Sequence, residues 1–243
     1  MIEATLADAL RAAARARPVI IASDYDGTLS PIVDDPAAAV PYAPALDALV
    51  RLSAVTGVHA VVISGRSVEA LAKLTGAPDG VTLIGTHGAE TSAGTVDSES
   101  VAVVRDVIDA LEDVAGTYAG TMLEPKPTGA ALHYRHAVEP EAAASAARGV
   151  GRQFDVRIID GKKVVELVVG HGNKGMAIDA LRAQWSADCV VFFGDDTTDE
   201  DVFAMLREGD VGVKVGDGTT LATHRVADPA AVGAALEIML AGR

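Results

Sequence analysis

Short apolar runs alternate along this chain with stretches in which apolar positions recur every three or four residues, and that alternation sets the elements. Val19 to Ser23, Val58 to Ile63, Val81 to Ile84, Cys189 to Phe193 and Asp210 to Val215 read as strands. Pro44 to Thr56, Val68 to Thr75, Lys174 to Trp185, Asp199 to Arg207 and Ala230 to Leu240 read as helices. Ile2, Leu6, Leu10 and Ala13 add a short amphipathic helix ahead of the first strand, best accounted for by packing on its own domain. Continuous Val/Ile/Phe runs separated by helices predict an α/β fold whose parallel sheet is covered on both faces.

The middle of the chain follows a different grammar. A helix over Val103 to Val114 precedes an alternating strand, Ala130 to Arg135, then a helix over Glu139 to Phe154. Two strands follow, Val156 to Ile159 and Lys163 to Val169, with Asp160-Gly161 as the expected turn, since those residues tolerate positive φ. This order is α+β with antiparallel pairing. The expected organisation is therefore a parallel-sheet domain in two parts, residues 1–91 and 171–243, interrupted by an α+β domain over 92–170.

Bulk properties narrow the function classes. A chain of 243 residues that is 49% hydrophobic can bury one sizeable core or two smaller ones. A formal net charge of -14 argues against non-specific nucleic-acid or anionic-membrane binding, both of which need a basic face. A phosphorylated substrate would then need local positive charge, and a divalent cation suits a chain so rich in carboxylates. Cys189 is the single cysteine, so no internal disulfide can form, and a reducing compartment fits. With no signal peptide or spanning segment in view, a cytoplasmic location is expected.

Four segments carry candidate chemistry. Asp24-Tyr25-Asp26-Gly27-Thr28 ends the first strand, at the edge where open α/β sheets bind ligands. The period of two puts Asp24 and Asp26 on one face, so one carboxylate could attack while its neighbour moves a proton. Gly194-Asp195-Asp196-Thr197-Thr198-Asp199-Glu200-Asp201 crowds acids at another strand end, where mutual repulsion calls for a cation or for water. Asp199, Glu200 and Asp201 also suit the first turn of the following helix. Ser64-Gly65-Arg66 offers a hydroxyl and free N–H groups for phosphate oxygens, and Asn173-Lys174-Gly175 opens a helix with an ammonium. Gly170 to Gly175 also satisfies G-x-G-x-x-G, but its preceding strand belongs to a hairpin and Asp195 lies within an acid cluster, so a dinucleotide is set aside. Zinc is set aside too, because His133 and His136 would face opposite ways with no Cys/His cluster beside them.

Together DxDGT, SGR, the lone lysine and GDDTTDED resemble the four motifs of the haloacid dehalogenase superfamily of phosphotransferases. Within it the chain is similar to the trehalose-6-phosphate phosphatase family, through DYDGTLSPIVDDP at Asp24 to Pro36, GTHGAE at Gly85 to Glu90, EPKPTGAALHYR at Glu124 to Arg135, GKKVVEL at Gly161 to Leu167, NKG and GDDTTDED. The resemblance implies a Rossmann-like core with an inserted α+β cap, and Mg2+-dependent hydrolysis of trehalose 6-phosphate through an aspartyl-phosphate. It implies Asp24 as nucleophile, Asp26 as acid and base, and Thr28, Ser64 and Lys174 as phosphate ligands. Asp24, the Asp26 carbonyl and Asp195 would hold the metal, with Asp196 or Asp199 behind. Glu124, Lys126 and Glu166 would bind the sugar, with Arg66, His87 and Arg135 as further substrate candidates. Association with a trehalose-6-phosphate synthase is implied as well. Val168 and Val169 stand where the family often has a basic residue and a proline, which keeps a sucrose- or mannosyl-type phosphate open as substrate. A phosphomutase remains the alternative reaction, and a catalytically silent sensor of sugar phosphates the alternative class.

Overall fold

A computed structural model describes residues 2–91, 98–126, 128–169 and 173–242. The chain divides into two compact units, Met1–Ser92 with Asn173–Arg243, and Ala93–Gly172. In chain order the first unit opens with α1 (Ala4–Ala13), β1 (Val19–Ser23), α2 (Ala43–Ser53), β2 (Val58–Ile63), α3 (Val68–Thr75), β3 (Val81–Gly85) and β4 (Glu90–Thr91). The second unit holds α4 (Ser98–Thr117), β5 (Met122–Lys126), β6 (Gly129–His133), α5 (Pro140–Gln153), β7 (Arg157–Gly161) and β8 (Val164–Val168). The first unit resumes with α6 (Lys174–Trp185), β9 (Cys189–Gly194), α7 (Glu200–Phe203), β10 (Val211–Val215), β11 (His224–Val226) and α8 (Pro229–Ala241).

Among the described residues the first unit has one seven-stranded sheet, ordered β11-β10-β9-β1-β2-β3-β4, parallel except where β4 runs against β3. β1 lies at its centre and is buried throughout, as a strand covered on both faces must be. Its side chains alternate between two apolar layers. Val19 and Ile21 pack with Leu10 of α1, Leu49 of α2 and Leu236 of α8. Ile20 and Ala22 pack with Ile178 of α6 and Val202 and Phe203 of α7. Each Val, Leu, Ile or Phe side chain among them is worth about 1.5–3 kcal/mol in surface removed from water, so both layers hold β1 in a single register. Ser23 pairs with Phe193 on one side and Val62 on the other, so β1, β9 and β2 end level with one another.

In the second unit the sheet order is β5-β6-β8-β7, fully antiparallel. Ala130, Leu132, Val165 and Leu167 pack against Val107 and Leu111 of α4 and Ala143, Ala147 and Val150 of α5. The opposite face carries Glu124, Lys126, His133 and Glu166.

Several elements depart from expectation for physical reasons. The hairpin turn lies at Lys162-Lys163, with Lys163 at φ 65°, and not at Asp160-Gly161, which stay in the ladder. This register sets Ile158 opposite Leu167 on the packed face, whereas a turn at 160–161 would oppose it with Lys163. Asp160 instead meets Arg148 of α5 at 2.9 Å. β5 has no counterpart among the expected elements; Pro125 within it is tolerated because β5 lies at the sheet edge. The helix expected over Asp199 to Arg207 is only four residues of α7, after which Met205 and Leu206 turn tightly back on Val202 and Phe203 to feed β10. Residues Gly170 to Gly172 of the G-x-G-x-x-G spacing lie outside the described residues; Asn173 caps α6 with its side chain on the Met176 N–H at 2.7 Å.

Candidate active site

The level ends of β1, β9 and β2 gather the loops that follow them. Asp24 is the first residue past β1, and its N–H donates to Phe193 of β9 at 2.9 Å, which ties it to the sheet. Gly27, at φ 85°, turns the chain, and a Cβ there would collide with the Asp195 carboxylate. The absent side chain thus lets the loop after β9 come against the loop after β1. Thr28, fully buried, directs its hydroxyl to Asp195 Oδ1 at 3.3 Å. Tyr25 anchors the onward chain through its hydroxyl to the Ala39 carbonyl at 2.6 Å.

Lys174, the first residue of α6, reaches into the same place. Its ammonium, buried along with the rest of its side chain, donates to Asp24 Oδ1 at 2.6 Å and Asp199 Oδ1 at 2.7 Å. Asp199 spends its other oxygen on the Asp196 N–H at 2.9 Å, closing a capping box over the turn Thr197–Asp199. Asp196 points its carboxylate at the Thr197 N–H, 2.7 Å away. Oxygens of Asp24, Asp195 and Asp199 all lie within 4.8 Å of one another, a grouping that could hold a metal ion. Asp196 is outside that grouping among the described residues. Directly past β2, the Ser64 hydroxyl is buried and accepts the Arg66 N–H at 3.2 Å.

So many buried carboxylates perturb one another. Burial pushes Asp24 well above the usual carboxylate range, with Asp199 and Asp195 adding repulsion that Lys174 only partly offsets. Asp195 is pushed up to about 6, by burial first and then by Asp199 and Asp196. Burial alone would lower the Lys174 ammonium, but Asp199 and Asp24 outweigh it and raise it, so the lysine stays charged. Hard oxygen donors that repel one another and sit above their normal range fit a small dication.

Lys214 is a group that periodicity does not bring to notice. It lies in the buried strand β10, opposite Gly194, and its ammonium donates to the Asp195 carbonyl, holding the acidic loop to the sheet. A lysine inside the apolar run VGVKV is the signal that could have found it. Arg66 and His87, both named as substrate candidates, lie in this unit. Arg66 grips Asp26 with two 2.6 Å hydrogen bonds. His87, buried at φ 55°, packs its ring on Gly65, where a Cβ would lie 2.5 Å from Nε2.

The second unit gathers the remaining candidates separately. Glu124, Ala131 and Glu166 form one cross-strand row, with Lys126, Gly129 and Val168 as the next. Because β6 contributes only Gly129 and Ala131 to these rows, Lys126 reaches over it to Glu166 at 2.9 Å, and both side chains are 11% exposed. Glu124 meets His133 Nε2 at 2.8 Å, and that hydrogen bond holds its carboxyl below the usual range. Arg135 lies past the end of β6, exposed and away from these rows.

Comparison with known proteins gives consistent matches. The family model for trehalose-phosphatase matches residues 22–230. A trehalose-phosphate phosphatase from Mycobacterium avium (strain 104) is 37% identical over 230 residues, 85% of this chain and 58% of its own length. A bifunctional trehalose-6-phosphate synthase/phosphatase from Thermoproteus tenax is 35% identical over 232 residues, 88% of this chain and 31% of the relative. Among solved structures, the C-terminal domain of C. albicans trehalose-6-phosphate phosphatase aligns at a TM-score of 0.79 and 25% identity, covering 98% of this chain and 96% of that one. The Aspergillus fumigatus trehalose-6-phosphate phosphatase aligns at 0.72 and 27%, covering 98% of both chains. The chain spans 58% to 64% of the length of the trehalose-phosphate phosphatases from Mycobacterium avium, Mycobacterium marinum and Mycobacterium ulcerans that it matches.

Proposed function

The chain belongs to the trehalose-phosphatase family, and from that premise we propose that it hydrolyses trehalose 6-phosphate to trehalose and inorganic phosphate through an aspartyl-phosphate on Asp24. The observation that carries this reading is the buried Asp24 carboxylate held 2.6 Å from Lys174 beside the Asp195 and Asp199 carboxylates. A buried carboxylate attacks only when ionised. Lys174 favours that form, and it also offsets charge on the phosphoryl oxygens as they spread it in a loose transition state.

Asp24 Oδ attacks phosphorus, the ester P–O bond breaks, and Asp26 gives its proton to the departing sugar oxygen. Water then attacks the phosphorus, Asp26 takes a proton from it, and phosphate leaves with Asp24 restored. Thr28 and Ser64 are assigned to the phosphoryl oxygens. Asp24 and Asp195 would hold Mg2+, with the Asp26 carbonyl, and Asp199 would stand behind them bound to Lys174. When bound, the ion supplies the positive charge that lets a carboxylate approach a phosphate dianion. Glu124, Lys126 and Glu166 are assigned to the sugar hydroxyls, for which paired carboxylate and ammonium groups offer directed hydrogen bonds. The synthase and phosphatase joined in the name of the T. tenax relative support association of this chain with a synthase that makes its substrate.

The test is phosphate release with Mg2+ from trehalose, sucrose, mannosyl-type and glucose phosphates. Trehalose 6-phosphate should turn over fastest, and Asp24→Asn should fall to background while its circular dichroism is unchanged. Equal rates on glucose 6-phosphate would defeat the disaccharide assignment. Transfer of phosphate to a sugar hydroxyl without free phosphate would turn the reading to a mutase.

A further inference from the structure

Arg66 makes a contact that phosphate binding alone does not call for. Its Nε donates to Asp26 Oδ2 and its Nη2 to Asp26 Oδ1, each at 2.6 Å, while its side chain is 16% exposed. The guanidinium also stands 5.6 Å from the Tyr25 ring centroid. A planar fork on both oxygens fixes the plane of a carboxylate, which a single ammonium contact cannot do.

The loop that carries Arg66 is itself held from behind. The Thr86 N–H donates to the Arg66 carbonyl at 2.8 Å and the His87 N–H to the Ser64 carbonyl at 2.9 Å. Glu90 Oε2 accepts both the Val68 N–H at 3.1 Å and the Thr86 hydroxyl at 3.3 Å. Thr86, His87 and Gly88 take φ of 47°, 55° and 104° in succession. Non-glycine residues in that region are strained and persist where their surroundings over-determine them. A Cβ at Gly85 would crowd Val68 N, the Arg66 carbonyl and Glu90, so the strained turn sits directly on the loop.

We propose that Arg66 is a positioning residue that sets the Asp26 carboxylate for both proton transfers, and that Glu90 holds Arg66 in place through its loop. The inference rests on the phosphatase reading above and moves Arg66 from the substrate to the acid. Asp26 must aim at the leaving oxygen in the first step and at water in the second. Both steps therefore depend on the plane that Arg66 fixes.

The experiment compares wild type with Arg66→Ala, Arg66→Lys, Glu90→Ala and Glu90→Gln on trehalose 6-phosphate and on p-nitrophenyl phosphate. p-Nitrophenolate leaves without a proton, so its first step bypasses Asp26 and its second does not. Arg66→Ala should lower kcat on trehalose 6-phosphate roughly 10²-fold with KM changed less than about threefold. On p-nitrophenyl phosphate it should show a burst of about one p-nitrophenolate per site, followed by slow turnover. Arg66→Lys should recover little, having lost the fork. Glu90→Ala should share the pattern, and Glu90→Gln, which keeps an acceptor oxygen, should restore most of it.

A raised KM at unchanged kcat would overturn the assignment and return Arg66 to substrate binding. Loss of the burst together with a lowered melting temperature in both Arg66 variants would also overturn it, as a merely structural effect. Wild type that releases phosphate from neither compound would overturn the phosphatase reading, and this inference with it.

Discussion

Lys174 shows how one side chain can determine both stability and chemistry. Its ammonium is the shared donor to two buried carboxylates, Asp24 and Asp199. Lys174→Met preserves its length but leaves both acids buried without that charge, a loss of about 3–5 kcal/mol for a broken buried pair. The expected outcome is a lowered melting temperature at pH 8 with a smaller deficit at pH 5, because the Asp24 carboxyl, raised by burial, takes up a proton on acidification and then no longer needs the partner. Thermal unfolding at the two pH values checks this. An equal deficit at both would mean that lost packing, and not charge, accounts for the effect.

At the scale of the element, the second unit depends on a strand made deliberately narrow. Gly129 on β6 lies so close to the Leu167 carbonyl of β8 that a Cβ would collide with the ladder. Gly129→Ala should therefore force β6 from β8 and cost about 1–3 kcal/mol. Hydrogen exchange should quicken in β5, β6 and β8 and stay unchanged in β1 and β9. Unaltered exchange in β6 and β8 would refute the close approach. The hairpin β7–β8 teaches a related lesson, since pairing Ile158 with Leu167 overrides the turn preference of Asp160-Gly161.

For the whole molecule, the acid cluster links folding to pH and metal. Asp195 sits near 6 in the folded chain, above the usual carboxylate range, so between about pH 4 and 6 the folded state keeps a proton that the unfolded state releases. The contribution is therefore unfavourable to the fold as pH rises through that window. Metal-free protein should lose on the order of 1–3 kcal/mol from this group between pH 4 and 7. Asp195→Asn should remove most of that dependence. Mg2+ at about 100 times its dissociation constant should add about 2.7 kcal/mol at pH 7.5 and less at pH 5, where protons compete for the same oxygens. Melting curves with EDTA or Mg2+ at both pH values measure it. No Mg2+ stabilisation at pH 7.5 would exclude the cluster as a metal site.

The α/β class and most elements were legible in the sequence because periodicity reports burial, and a strand buried on both faces, such as β1, reads as an unbroken apolar run. The acids of DYDGT and GDDTTDED were legible too, since charge that abruptly ends an apolar strand stands out. What periodicity cannot carry is partnership across long separations. That Asp199 faces Lys174, that Arg66 grips Asp26, and that Lys214 binds the Asp195 carbonyl were decided by strands distant in sequence ending level in one sheet. Edge strand β5 and the shifted hairpin were decided the same way, because a proline or a turn residue is read only locally, while sheet position and register are set by packing against α4 and α5.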